Sequence, residues 1–153
     1  MSDTKHTDSE KGSSAHGGLL RCVIVTPEST VLDIRARFIT IPLFDGQRGV
    51  ARGHSPFIGR LGSGGVRIVG EQGAAADAVR RMFVEGGFAE VGHDSVTLIT
   101  QRAIPIEKLD VAKAKAELTA LNASVAAGDE AIAAKMQAIA TARAIVHAAE
   151  HQN

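Results

Sequence analysis

Between residues 19 and 106 the apolar positions fall in short runs rich in Val, Ile and Phe, broken by glycine, proline and small polar residues. Runs of this kind, bounded by turn formers, predict strands near Leu20–Thr26, Ile34–Ile41, Val66–Val69, Val79–Glu85, Phe88–Val91 and Ser95–Thr100, with shorter ones around Val50 and Phe57. The stretch FAEVGHDSVTLIT, residues 88–100, joins two runs through Gly92-His93-Asp94. So short a link suits an antiparallel hairpin and cannot make a parallel crossover. The expectation for this half is an antiparallel β-sandwich or flattened barrel.

Past Pro105 the period changes. There is no further proline, a single glycine at Gly128, and sixteen alanines between Ala112 and Ala149; alanine has the highest helix propensity. Val111, Ala114, Leu118, Leu121 and Val125 recur three and four apart, and Ile132, Met136, Ile139, Ala142 and Val146 repeat the spacing beyond Ala127-Gly128-Asp129. Two such seams around one short break predict an antiparallel helical hairpin over residues 107–153. An alanine-rich seam buries little area per residue, so the hairpin should dock weakly and move.

Composition sharpens this picture. With 44% hydrophobic residues in 153, the chain can bury one core and carry one appendage. Lys+Arg and Asp+Glu both total 17, and this balance gives no long-range attraction for nucleic acid or an anionic membrane. The lone cysteine, Cys22, sits in the strand-like run Leu-Arg-Cys-Val-Ile-Val, where a buried, unreactive thiol is expected. Residues 1–18 are polar, with Asp3, Asp8 and Glu10, and read as a disordered tail rather than a signal or transit peptide. No uncharged apolar run approaches the roughly 18–20 residues that span a bilayer.

Candidate chemistry concentrates in GQRGVARGHSPFIGRLGSGGVRI, residues 46–68. A phosphate-cradling P-loop needs Gly-Lys-Ser/Thr opening a helix, and Gly53-His54-Ser55-Pro56 supplies neither the lysine nor a helix. GSGGVRIV misses the dinucleotide spacing, because Arg67 stands where the third glycine belongs. Glycines that let strands turn or bulge account for this segment without a ligand. His54 has no metal-ligand spacing beside it and reads as a turn or interface residue. HAAEH, His147 to His151, matches the H-x-x-E-H zinc pattern, but an alanine-rich terminus offers no third ligand and no walled cavity. No catalytic residue, metal site or cofactor follows from the sequence.

Taken together, GQRGVARGHSPFIGRL, GGVRIV, FVEGGFAEVGHDSVTLITQRAIPIEKLD and the alanine-rich hairpin resemble the epsilon subunit of the bacterial F-type ATP synthase, from about Leu20 onward. The resemblance implies a sandwich over residues 19–106 that grips the gamma subunit and rests on the c-subunit ring, and a hairpin that regulates ATP hydrolysis and reaches the alpha/beta catalytic head. It implies a non-catalytic rotor subunit of a proton-translocating enzyme, peripheral at the cytoplasmic face of the inner membrane. Asp45, Gly46, Arg52, Gly53 and His54 are the implied interface, with Arg52 where relatives commonly carry proline. Relatives that bind ATP on the hairpin use Leu/Ile-Asp-x-x-Arg-Ala with arginines on the second helix; the matching positions are Asp110, Lys113 and Arg143. Lysine lacks the planar fork of arginine, so weak or no ATP binding is expected. Apart from the resemblance, a free-standing β-sandwich adaptor that self-associates through its hairpin fits the same two-part pattern.

Overall fold

The computed structural model describes residues 18–151. The tail expected over residues 1–18 lies outside the described residues except for Gly18, as do the last two positions of the hairpin. Ten strands are followed by a 3-10 turn and two helices: β1 (Leu20–Val25), β2 (Thr30–Ala36), β3 (Phe38–Leu43), β4 (Gly46–Ala51), β5 (Phe57–Arg60), β6 (Gly64–Val69), β7 (Val79–Val84), β8 (Phe88–Val91), β9 (Ser95–Ile99), β10 (Ala103–Pro105), the turn Ile106–Lys108, α1 (Val111–Ala123) and α2 (Asp129–Glu150). They form two five-stranded sheets, in the orders β2-β1-β9-β8-β5 and β10-β7-β6-β3-β4.

Period-2 alternation explains the sandwich. Leu20, Cys22 and Ile24 of β1, Val96 and Leu98 of β9, Ile39 and Ile41 of β3, and Val66 and Ile68 of β6 all point between the sheets and are almost wholly buried. One pairing departs from the antiparallel expectation: β1 and β9 run parallel, Arg21 beside Ser95 through Val25 beside Ile99. Most of the sandwich lies between these two strands in sequence, so the long connection that a parallel pair requires is available.

The single strand expected over Ile34–Ile41 is two strands in different sheets. Ala36 and Ile39 both face the core, three residues apart, so the alternation slips phase at Arg37-Phe38. There the chain crosses to the second sheet, and the Arg37 N–H donates to the Val69 carbonyl of β6 at 3.0 Å. A slip of one residue moves every later side chain to the opposite face.

The hairpin leans on the outer face of the second sheet. Phe83, Ile106 and Ala148 are buried together, with Leu109, Ala144 and Ile145 packed around them. Gly65 lies beneath this contact: a Cβ there would stand 3.6 Å from Ile106 and 4.0 Å from Ala148, ordinary packing distances. The expected seams hold in part: Val111, Leu118, Leu121, Ile139 and Val146 are half-buried. Ala114 and Ala142 are buried, but Val125 lies past the end of α1 and is 96% exposed, while Ile132 and Met136 face outward. The chain breaks over Ser124–Gly128 rather than at Ala127-Gly128-Asp129 alone.

Candidate interaction surface

The five residues singled out as an interface occupy two turns, not one. Asp45 sits in the two-residue turn Phe44-Asp45 that closes the β3–β4 hairpin at Leu43 opposite Gly46, and Gly46 has φ +133°. Arg52 and Gly53 form the turn at the other end of β4, where Gly53 has φ +90° and donates its N–H to the His93 carbonyl at 2.6 Å. The intervening GQRGVA is a paired edge strand, so roughly 20 Å of extended chain separates the two turns. His54 is fixed locally: its Nδ1–H donates to the Ser55 carbonyl at 2.7 Å and its ring tilts against Phe57 at 5.4 Å.

Around the first turn the structure gathers residues that sequence reasoning missed. Phe44 is 73% exposed, with the Arg60 guanidinium 5.2 Å from its ring centroid. Arg60 of β5 lies opposite Phe88 of β8, which in turn lies opposite Ile99 of β9. Ile58, two residues before Arg60 and so on the same face, is 77% exposed, and Phe88 and Ile99 are more than half exposed. Large apolar side chains at the solvent positions of neighbouring strands mark a contact surface. The available signal was the alternation in Phe-Ile-Gly-Arg, where both phases carry a large residue.

Of the positions matched to ATP contacts, the structure brings two together. Asp110 and Lys113 line a cavity of about 190 Å³ with Arg102, Lys108, Glu117 and Ile145. Arg143 is exposed and does not line it. Asp110 caps α1, accepting the Lys113 backbone N–H at 2.9 Å, so one carboxylate oxygen already satisfies an orphan helix donor.

His147 and His151 stack at 4.2 Å between ring centroids, and the His151 Nδ1–H donates to the His147 carbonyl at 3.1 Å. No three of His, Cys, Asp and Glu converge on one point among the described residues. Cys22 is fully buried, and burial pushes its thiol up to about 12, so a thiolate nucleophile is suppressed. No helix of the described residues is long and apolar enough to cross a membrane.

Two five-stranded sheets packed as a β-sandwich, followed by a two-helix hairpin packed on one outer face, define the class: a β-sandwich domain with a C-terminal helical hairpin. The chain belongs to the ATP synthase delta/epsilon chain family, whose β-sandwich domain model matches residues 19–106. The ATP synthase epsilon chain of Rhodopirellula baltica is 50% identical over 91 residues, which cover 60% of this chain and 67% of that one. The epsilon chain of Granulibacter bethesdensis is 34% identical over 132 residues, covering 84% and 95% respectively. Among solved structures, a chain in the OSCP/F1/c-ring assembly of Euglena gracilis mitochondrial ATP synthase superposes with a TM-score of 0.74 over 99% of this chain and 96% of its own, at 22% identity, which is a likeness of fold.

Proposed function

We propose that this chain is a non-catalytic central-stalk subunit of a proton-translocating F-type ATP synthase, that it couples c-ring rotation to the catalytic head, and that its hairpin restrains ATP hydrolysis. The observation that carries the reading is the match to an epsilon chain over sandwich and hairpin together, 95% of the Granulibacter relative. The subunit works at the cytoplasmic face of the inner membrane, held there by partner subunits.

The two turns at the ends of β4 serve two partners in this reading. Asp45 and Gly46 meet the polar loops of the c ring. Arg52, Gly53 and His54, at the other end of β4 and leading into β5 with its exposed Ile58, meet gamma. The separation of the turns along an extended strand supports this division, because a rotor subunit must hold the ring and the shaft at once. Pull-down from native membranes should recover gamma and c subunits in stoichiometric amounts. Single cysteines at 45 and 52, with Cys22 replaced, should crosslink to different subunits. A homodimer that ignores ATP synthase subunits, or crosslinks to neither partner, would overturn the reading.

A further inference from the structure

A second cavity, of about 250 Å³, lies between the outer face of the second sheet and the last turn of α2; Thr40, Gln47, Arg67, Arg81, His147 and His151 are its polar lining. No carboxylate lines it. Arg67 of β6 and Arg81 of β7 stand directly opposite each other across the ladder, and Thr40 of β3 flanks Arg67 on the other side. Like charges at directly opposed positions destabilise a sheet. Neither arginine has an ion pair or side-chain hydrogen bond among the described residues, and Arg67 Nε is buried with no hydrogen-bond partner. Such an orphan donor carries a desolvation cost that a ligand can remove.

We propose that this cavity is a binding site for a phosphate group. The Arg67 and Arg81 guanidiniums engage its oxygens, Thr40 and Gln47 offer neutral donors, and the stacked imidazoles of His147 and His151 close the site from α2. Because the His151 Nδ1–H is committed to the His147 carbonyl, Nε2 is the nitrogen that can turn to the ligand. Guanidinium forks match phosphate geometry, and charge-assisted contacts of this kind are stronger than neutral ones. The C-terminal end of α2 contributes about half a negative charge, which two full positive charges outweigh. An occupied site would bridge β6 and β7 to α2 and hold the hairpin against the sandwich. The site is separate from the cavity of Asp110 and Lys113, and the inference does not depend on assembly into an ATP synthase.

The test is calorimetric titration of the full chain, in a low-salt buffer free of phosphate, with inorganic phosphate in one arm and AMP in the other. Saturable binding of phosphate alone identifies the free ion as sufficient; tighter binding of AMP identifies a nucleotide phosphate. Arg67→Gln and Arg81→Gln should each weaken binding by about tenfold or more, the loss of one charge-assisted contact. Both variants should keep or raise the melting temperature measured without phosphate, since a like-charge pair is removed. His151→Gln, at the exposed end of α2, should weaken binding without touching the sandwich. Arg35→Gln, at an exposed position of β2 in the first sheet, should leave it unchanged. No saturable binding in either arm, or equal affinity in Arg67→Gln, Arg81→Gln and His151→Gln, would overturn the proposal.

Discussion

Cys22 shows how one buried atom sets a pH limit on the fold. Its thiol is raised from an ordinary 9.0 to about 12 by burial in β1. Above pH 9 the unfolded chain loses this proton while the native chain keeps it, so native stability is intact below that pH and falls as pH rises toward 12. The slope reaches about 1.4 kcal/mol per pH unit, and comparing denaturation of wild type and Cys22→Ala between pH 8 and 10.5 should show the difference growing smaller with pH. Gly87 illustrates a steric limit. It has φ +104°, and a Cβ there would stand 1.8 Å from the Ile99 carbonyl oxygen. Gly87→Ala should cost on the order of 3 kcal/mol or more in urea unfolding, whereas Gly73→Ala, with open space at a similar φ, should cost less. Lys113 tests the nucleotide reading: it lies in the cavity with Arg102 and Lys108, so Lys113→Arg should tighten ATP binding by roughly tenfold from a weak starting value, by calorimetry. At this scale residue types were legible and their arrangement was not. The short strand expected around Val50 is Gly46–Ala51, paired with β3, but glycine density does not say where a turn begins, so the separation of Asp45 and Arg52 into turns at its two ends was not legible.

At the scale of elements, the strands with clean alternation were legible, and the failures have physical causes. Apolar residues at 34 and 36 and then at 39 and 41 change parity, and that parity change was the visible sign that β2 and β3 belong to different sheets. The helical seams were over-read only at Val125, Ile132 and Met136, because periodicity cannot say where a partner ends. Ile132 and Met136 keep the period but are exposed, as Val125 is. Docking falls instead to a small cluster in which Phe83 and Ile106 are the large buried side chains. At roughly 1.5–3 kcal/mol for each large side chain, that contact is worth on the order of 5 kcal/mol at most. Lys115 and Glu150 add an exposed pair at 2.7 Å between the two helices, and the ammonium holds the Glu150 carboxyl below its usual range. Its contribution is present above the ordinary glutamate range and is lost as pH falls through the lowered value. Phe83→Ala should release the hairpin: amide exchange in α2 should rise to near-unfolded rates while β1 and β9 stay protected. Continued protection of α2 would mean that the helices hold to the sheet by contacts other than this cluster.

Across the whole molecule, the two apolar clusters decide what can be separated from what. The sandwich core runs from Leu20 to Leu98, with Ala103 the last residue packed against it, and contains no side chain of α1 or α2. The hairpin cluster takes Phe83 from the outer side of β7, while Met82 and Val84 of the same strand face inward. Removing the hairpin therefore takes nothing from the core and bares one outward aromatic. A chain ending after Ile106 should fold cooperatively, with β-sheet circular dichroism and a unique melting transition, and Phe83→Ser in the same truncation should restore any solubility lost to the exposed ring. Both β4 turns, Ile58, Phe88 and Ile99 remain in that fragment, so it should still bind gamma and the c ring and support ATP synthesis. On the proposed reading it lacks the element that a competing surface on the catalytic head would displace, since a few kcal/mol of differential affinity reverses such an equilibrium. ATP hydrolysis by membranes assembled with the truncated chain should therefore rise above that of the full-length assembly. Unchanged hydrolysis and synthesis at all nucleotide concentrations would show that the hairpin does not regulate this enzyme, and a fragment that fails to fold would show that the two clusters are one core.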